Sequence, residues 1–278
     1  MQLSSPYHED NMLTVQSFFD LSDFPHSDLF EPTAYVWQPL SALKNYMDGC
    51  TYPEYDRTLI GDGIPLPGHV IIHEGRALAA TEAEIVYGDT TKGRLQISLA
   101  GKILEGASLL MAGATLLGRK IAIGRGVLVE TGAMIKSPAI IGDMTEVRQG
   151  AYLRGYCLAG KRCVLGHTTE IKHSIFMNDA KAGHFAYLGD SILGGNTNLG
   201  AGTKFANLRF LPGTITIFMK ESGRIDTGLK KFGAILGDTS QTGCNSVTSP
   251  GTLLGKGAIL MPNATAKSGY HGEKTVLR

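Results

Sequence analysis

Apolar residues recur every six positions along the middle of the chain. Leu117, Ile123, Val129, Ile135, Ile141, Val147, Leu153, Ala159, Leu165, Ile171 and Met177 keep this spacing without a miss. Four residues after each of the first ten stands a small or β-branched residue, from Ile121 and Val127 through Thr145, Ala151, Cys157 and Cys163 to Ile175. Gly118, Gly124, Gly142, Gly160 and Gly166 follow the aliphatic position. An amphipathic helix repeats every 3.6 residues and a half-buried strand every two, so neither explains this pattern. A six-residue repeat predicts a parallel β-helix in which each hexad is a short strand and a turn, and three hexads close one triangular coil. The aliphatic residues stack down the axis, and the glycines stand at corners where a Cβ would be strained. Because one coil cannot bury its own core, stacking supplies the stability.

The pattern divides the chain into an N-terminal extension (1–68), a β-helix (69–267) and a polar, loose tail (268–278). In the extension, residues 31–49 read as a helix broken at Pro39, with Leu40, Leu43 and Met47 on one face and Trp37 as a packing anchor. Residues 61–68 have the composition of a linker, and short β-type runs between His69 and Leu99 lead into a first coil near Ile103. After Met177 the count slips, and loops leave a regular scaffold at such departures. A β-hairpin insertion is expected at about 212–231, turning at Glu221-Ser222-Gly223, and hexads resume from Leu236 to Leu260. The whole is mainly β, with a small α/β extension.

Composition adds little direction. The formal net charge is +1, so nothing pulls the chain toward nucleic acid or anionic membrane. No charged-then-apolar leader opens it and no run reaches the roughly 20 apolar residues of a membrane span. The four cysteines form no CxxC pair, and Cys157 and Cys163 occupy equivalent small positions, which packing in a reducing cytoplasm explains. No carboxylate or cysteine cluster supports the histidines as a metal site.

Chemistry concentrates where the repeat slips. Arg154 and Lys172 lie eighteen residues apart, one coil, and so stack on the same edge at the spacing a phosphate needs. His184 suits a general base, and Glu170, fourteen residues earlier, is within reach on the neighbouring coil as its orienting carboxylate. His167 and His173 are read as structural.

The segments KAGHFAYLGD and GGNTNLGAGT resemble the hexapeptide-repeat acyltransferases of the left-handed β-helix class. The likeness is to the acetyltransferase domain of the bifunctional UDP-N-acetylglucosamine-synthesising enzymes and to archaeal-type sugar-1-phosphate nucleotidylyltransferases, and it covers about residues 103–265. It implies His184 as base, Glu170 beside it, Arg154 and Lys172 on the sugar phosphate, and Tyr187, Asn198 and Asn207 around the amino sugar and acetyl group. Cys244 and Pro262 fall where acetyl-CoA, the co-substrate, would pass. The resemblance also implies a homotrimer with sites between subunits. Two positions depart from the pattern: Leu208 follows Asn207 where a tyrosine is expected, and Pro262 replaces a small residue. The Gly-rich nucleotide-binding loop of a nucleotidyltransferase does not appear in residues 1–100, so that activity would belong to a separate partner. The implied function is acetyl transfer from acetyl-CoA to an amino-sugar 1-phosphate. The other reading is a non-catalytic trimeric assembly, regulatory or sugar-nucleotide-binding module related to UDP-N-acetylglucosamine pyrophosphorylase.

Overall fold

The computed structural model describes residues 13–31, 33–219 and 223–278. Its body is a left-handed β-helix of about nine turns. Three sheets form the sides of the prism, one of eleven strands and two of eight. The chain visits them in fixed order. Leu128–Val129 lies in the first sheet, Met134–Lys136 in the second and Ala139–Ile141 in the third, and Glu146–Val147 then returns to the first. Neighbouring coils pair in parallel, with Ala139 beside Cys157 and Glu146 beside Val164, eighteen residues per coil.

The expected inward stack is present over most of its length: Val129, Ile135, Ile141, Val147, Leu153, Ala159, Leu165 and Ile171 are all buried in the main core. It departs at both ends. Leu116, not Leu117, is the buried residue of the first hexad. At the other end the coil shortens to seventeen residues: Cys157 pairs with Ser174, Val164 with Lys181 and Glu170 with Tyr187. Phe176 takes the inward place after Ile171, while Ile175 and Met177 turn outward beneath the N-terminal segment. The slip seen in the sequence after Met177 thus begins one strand earlier.

Apart from Gly118, whose φ is +92°, the repeat glycines are required by close stacking rather than by a left-handed backbone. A Cβ on Gly142 would lie 2.4 Å from the Gly160 carbonyl oxygen, and one on Gly166 would lie 2.1 Å from the Gly183 carbonyl carbon. Neither has positive φ. Several left-handed corners are instead held by larger residues, among them His173, Phe185 and Asp190. Gly166→Ala is therefore expected to separate two backbones and to destabilise the protein by several kcal/mol, well beyond the ~1–3 kcal/mol of ordinary overpacking. A melting temperature within about 1 °C of the native value would refute this account of the stacking.

The third sheet is covered by the chain itself. Phe18, Phe30, Trp37, Leu40, Leu43 and Met47 pack with Leu158, Ile175, Ile192, Ile235 and Leu253 in a second apolar cluster. Trp37 is buried and stacks on Tyr35 at 4.5 Å, the anchoring role its composition suggested. The helix runs Gln38–Gly49, so Pro39 opens it rather than breaking it. Proline is tolerated there because first-turn N–H groups have no helical partner. The hairpin pairs Thr216–Met219 with Gly223–Asp226, and Ile215, Ile217 and Met219 join the same cluster. Its expected turn residues Glu221 and Ser222 lie outside the described residues.

Three further expectations are corrected. Lys102–Ile103 belongs to a three-stranded antiparallel sheet with Ala83–Val86 and Gln96–Leu99, and the first coil strand is Ser108–Leu110. The linker-like segment bonds to the first coil through Gly63 N–H to Leu116 and Leu66 N–H to Ala114, and Leu66 closes the end of the core. The tail is not loose: Gly269–His271 pairs with Thr252–Leu254 and Val276–Leu277 with Ile259–Leu260, extending two sheets. Polar composition misled there because short solenoid strands turn half their side chains to water. Among the described residues no helix is long and apolar enough to cross a membrane.

Candidate functional site

The candidate residues fall on two adjacent sides of the prism and the corner between them. Arg154 follows the strand Tyr152–Leu153, and Lys172 ends the strand Glu170–Lys172, both in the second sheet. Tyr152 pairs with Glu170 and Leu153 with Ile171, which sets Arg154 and Lys172 in one outward row, as the eighteen-residue spacing predicts. Glu170 and Tyr187 are register partners in the neighbouring row. Arg154 Nη1 donates to Glu170 Oε1 at 2.6 Å. Among the described residues no hydrogen bond joins Glu170 to His184.

A carboxylate that the sequence reading passed over holds the far edge of this side together. Asp190 is buried, with a left-handed backbone at the corner to the third sheet. Its Oδ1 lies 2.9 Å from His173 Nδ1, its Oδ2 accepts from Asn207 Nδ2 at 2.6 Å, and Lys172 Nζ stands 3.5 Å away. Tyr187 Oη donates in turn to Asn207 Oδ1 at 3.3 Å. Burial pushes the Asp190 carboxyl up, but the bonds from His173 and Asn207 and the Lys172 charge outweigh it and leave the group below its ordinary 3.8. Its one cue in the sequence was a Gly-Asp step inside the stretch of altered spacing. His173, read as structural, is the partner that locks this carboxylate.

His184 ends the strand Lys181–His184 of the first sheet, at the corner leading to Tyr187. It is exposed, and its ring lies 6.4 Å from that of Phe185, which also packs edge-on to His167 at 5.1 Å. Asn198 starts the next strand of the same sheet and pairs with Lys181. The corner is continuous along the axis. The His184 carbonyl accepts from Gly202 N–H, that of Ala201 from Asn245 N–H, and that of Cys244 from Asn263 N–H. His167, His184, Ala201, Cys244 and Pro262 therefore form one column. At about 4.8 Å per coil, Cys244 and Pro262 stand about 10 and 14 Å beyond His184. A Cβ on Gly243 would meet the Pro262 ring at 2.4 Å, so this glycine is what admits proline to the column. Beyond Asn207, an apolar groove of about 420 Å³ is lined by Leu208, Leu211, Val247 and Pro250.

Cys157 and Cys163 are buried, and burial pushes both thiols up to about 12. Cys244 is exposed. A thiol reagent at pH 8 is expected to label Cys244 in the native protein, and Cys157 and Cys163 only after denaturation. Peptide mapping showing native labelling of Cys157 or Cys163 would contradict their place in the core. Among the described residues no group of three or more potential ligands is placed to hold a metal ion.

The fold is a left-handed β-helix, and part of the chain is similar to GlmU-type bifunctional enzymes. The bifunctional sugar-1-phosphate nucleotidylyltransferase/acetyltransferase of Sulfurisphaera tokodaii is 37% identical over 114 residues, 41% of this chain and 28% of that protein. The bifunctional protein GlmU of Methanococcus vannielii is 34% identical over 128 residues, 46% of this chain and 30% of that one. The matches thus span less than a third of these relatives' length. Among solved structures, the UDP-N-acetylglucosamine acyltransferase of Francisella novicida superposes with a TM-score of 0.30 at 13% identity, over 56% of this chain and 55% of that one. No family model matches the chain.

Proposed function

We propose that the protein is an acyltransferase that moves an acetyl group from acetyl-CoA to the amine of an amino-sugar 1-phosphate, glucosamine or galactosamine 1-phosphate. The observation that carries this reading is the junction of two rows. A cationic row, Arg154 and Lys172, lies on one side of the prism, and an exposed imidazole, His184, heads a column along the adjoining corner. The Sulfurisphaera tokodaii relative, named in part an acetyltransferase, supports the reaction class.

In this reading Arg154 and Lys172 bind the phosphate, and Tyr187, Asn198 and Asn207 fix the sugar. His184 removes a proton from the amine as its nitrogen attacks the thioester carbonyl. The carbon–sulfur bond then breaks, and the CoA thiolate leaves with that proton. Corner N–H groups face the developing oxyanion. The pantetheine arm runs along the Cys244 and Pro262 column, and the groove beside Leu208 receives apolar parts of the donor. With the third side covered by the chain itself, the first and second sides meet copies in a homotrimer, in which Glu170 orients His184 from across the subunit boundary.

The test is release of CoA thiol from acetyl-CoA with each amino-sugar phosphate, native protein against His184→Ala. An absence of turnover with every amino sugar offered would leave the fold as an assembly or sugar-nucleotide-binding module.

A further inference from the structure

The row that holds Arg154 and Lys172 contains a third cation. Met134 pairs with Tyr152 and Ile135 with Leu153, so Lys136 stands one coil before Arg154 as Arg154 stands one coil before Lys172. Three coils at about 4.8 Å put Lys136 and Lys172 about 10 Å apart. Lys136 Nζ donates to Tyr152 Oη at 2.8 Å and lies 5.1 Å from the centre of that ring. The Arg154 guanidinium lies 6.0 Å from the same ring. Tyr152 therefore has two cations drawn to it.

The charges of this row do not balance. Glu170 engages Arg154 and Asp190 engages Lys172. Among the described residues no carboxylate lies within ion-pair distance of Lys136. Three cations face two carboxylates, and the surplus sits at the Lys136 end. Arg154 offers only part of its five-donor fork to Glu170, so it has further N–H donors for an anion. Two like charges over one ring repel each other unless an anion lies between them. A single phosphoryl group meets two members of such a row, and two linked phosphoryl groups meet all three.

We propose that Lys136, Tyr152 and Arg154 form a second phosphate subsite, so that the ligand of this side is a diphosphate: an amino sugar whose 1-phosphate is extended by another phosphoryl group, as in a nucleoside diphosphate sugar. This rests on the reading of Arg154 and Lys172 as the sugar-phosphate site and moves the preferred acceptor from the sugar 1-phosphate to its diphosphate form.

The experiment is calorimetric titration at one ionic strength of native protein and Lys136→Met, which keeps the stem and removes the charge. Glucosamine 1-phosphate and UDP-glucosamine are the ligands, with phosphate and pyrophosphate as probes lacking sugar and base. The native protein is expected to bind each diphosphate at least about tenfold tighter than its monophosphate. Lys136→Met should erase that preference while changing monophosphate affinity less than about twofold. Equal native affinities, or a loss shared by both ligand classes in the variant, overturns the subsite. An unchanged melting temperature of Lys136→Met excludes misfolding as the cause. Diphosphate preference without thiol release from acetyl-CoA would sink the acyltransferase reading and leave this one standing.

Discussion

On the proposed reading, His184→Ala is expected to lower the rate of acyl transfer by about two to four orders of magnitude, the range a positioned general base contributes. The ring is exposed and makes no hydrogen bond among the described residues, so its removal opens no cavity and strands no buried partner. Melting temperature and affinity for the amino-sugar phosphate are expected to stay at native values, because the cationic row lies on the adjoining side. The loss then falls on kcat, with KM little changed, the signature of an interaction made in the transition state. A variant that retains more than about a tenth of native kcat would remove His184 from the chemistry.

Asp190→Ala is expected to have the largest effect on stability. The carboxylate is buried and is the shared acceptor of His173, Asn207 and Lys172. Its removal leaves those donors without their partner, which costs about 3–5 kcal/mol and lowers the melting temperature by on the order of 10 °C. Asp190→Asn keeps the shape and one acceptor oxygen and should lose less. The native carboxyl lies below 3.8, so its contribution is complete above that pH and disappears as the pH falls through the lower folded-state value. Denaturation midpoints measured from pH 6 to pH 2 should fall for the native protein, and the component due to Asp190 should be missing in Asp190→Asn. Equal acid sensitivity of the two proteins would refute this role.

The solenoid was readable because its period of six belongs to no other regular structure, and because the inward positions from Val129 to Ile171 carry little besides aliphatic residues. Its shortening to seventeen residues was less visible, since Ile175, Phe176 and Met177 are all apolar and only packing shows which one faces the axis. The Arg154 and Lys172 row followed from spacing alone. Asp190 did not, because a buried carboxylate is defined by partners seventeen residues away on either side, His173 and Asn207, that no local motif joins. The shared corner of His184, Cys244 and Pro262 was hidden by the hairpin insertion, which breaks the count between Ala201 and Cys244. Composition failed at the tail, where strands of two or three residues leave too short a pattern to read.

The N-terminal cover has a consequence for how the molecule is made. Asp238 N–H donates to the Phe18 carbonyl, and Lys256 Nζ to that of Gln16. A ribosome must therefore synthesise more than two hundred residues beyond Phe18 before residues 16–18 meet these two partners. Until then the cover's aromatic side chains and the bare flank of the growing prism are both unprotected, the condition in which nascent chains attract chaperones or one another. The contacts of residues 16–18 with Asp238 and Lys256 thus form late, after the coils between them have been made.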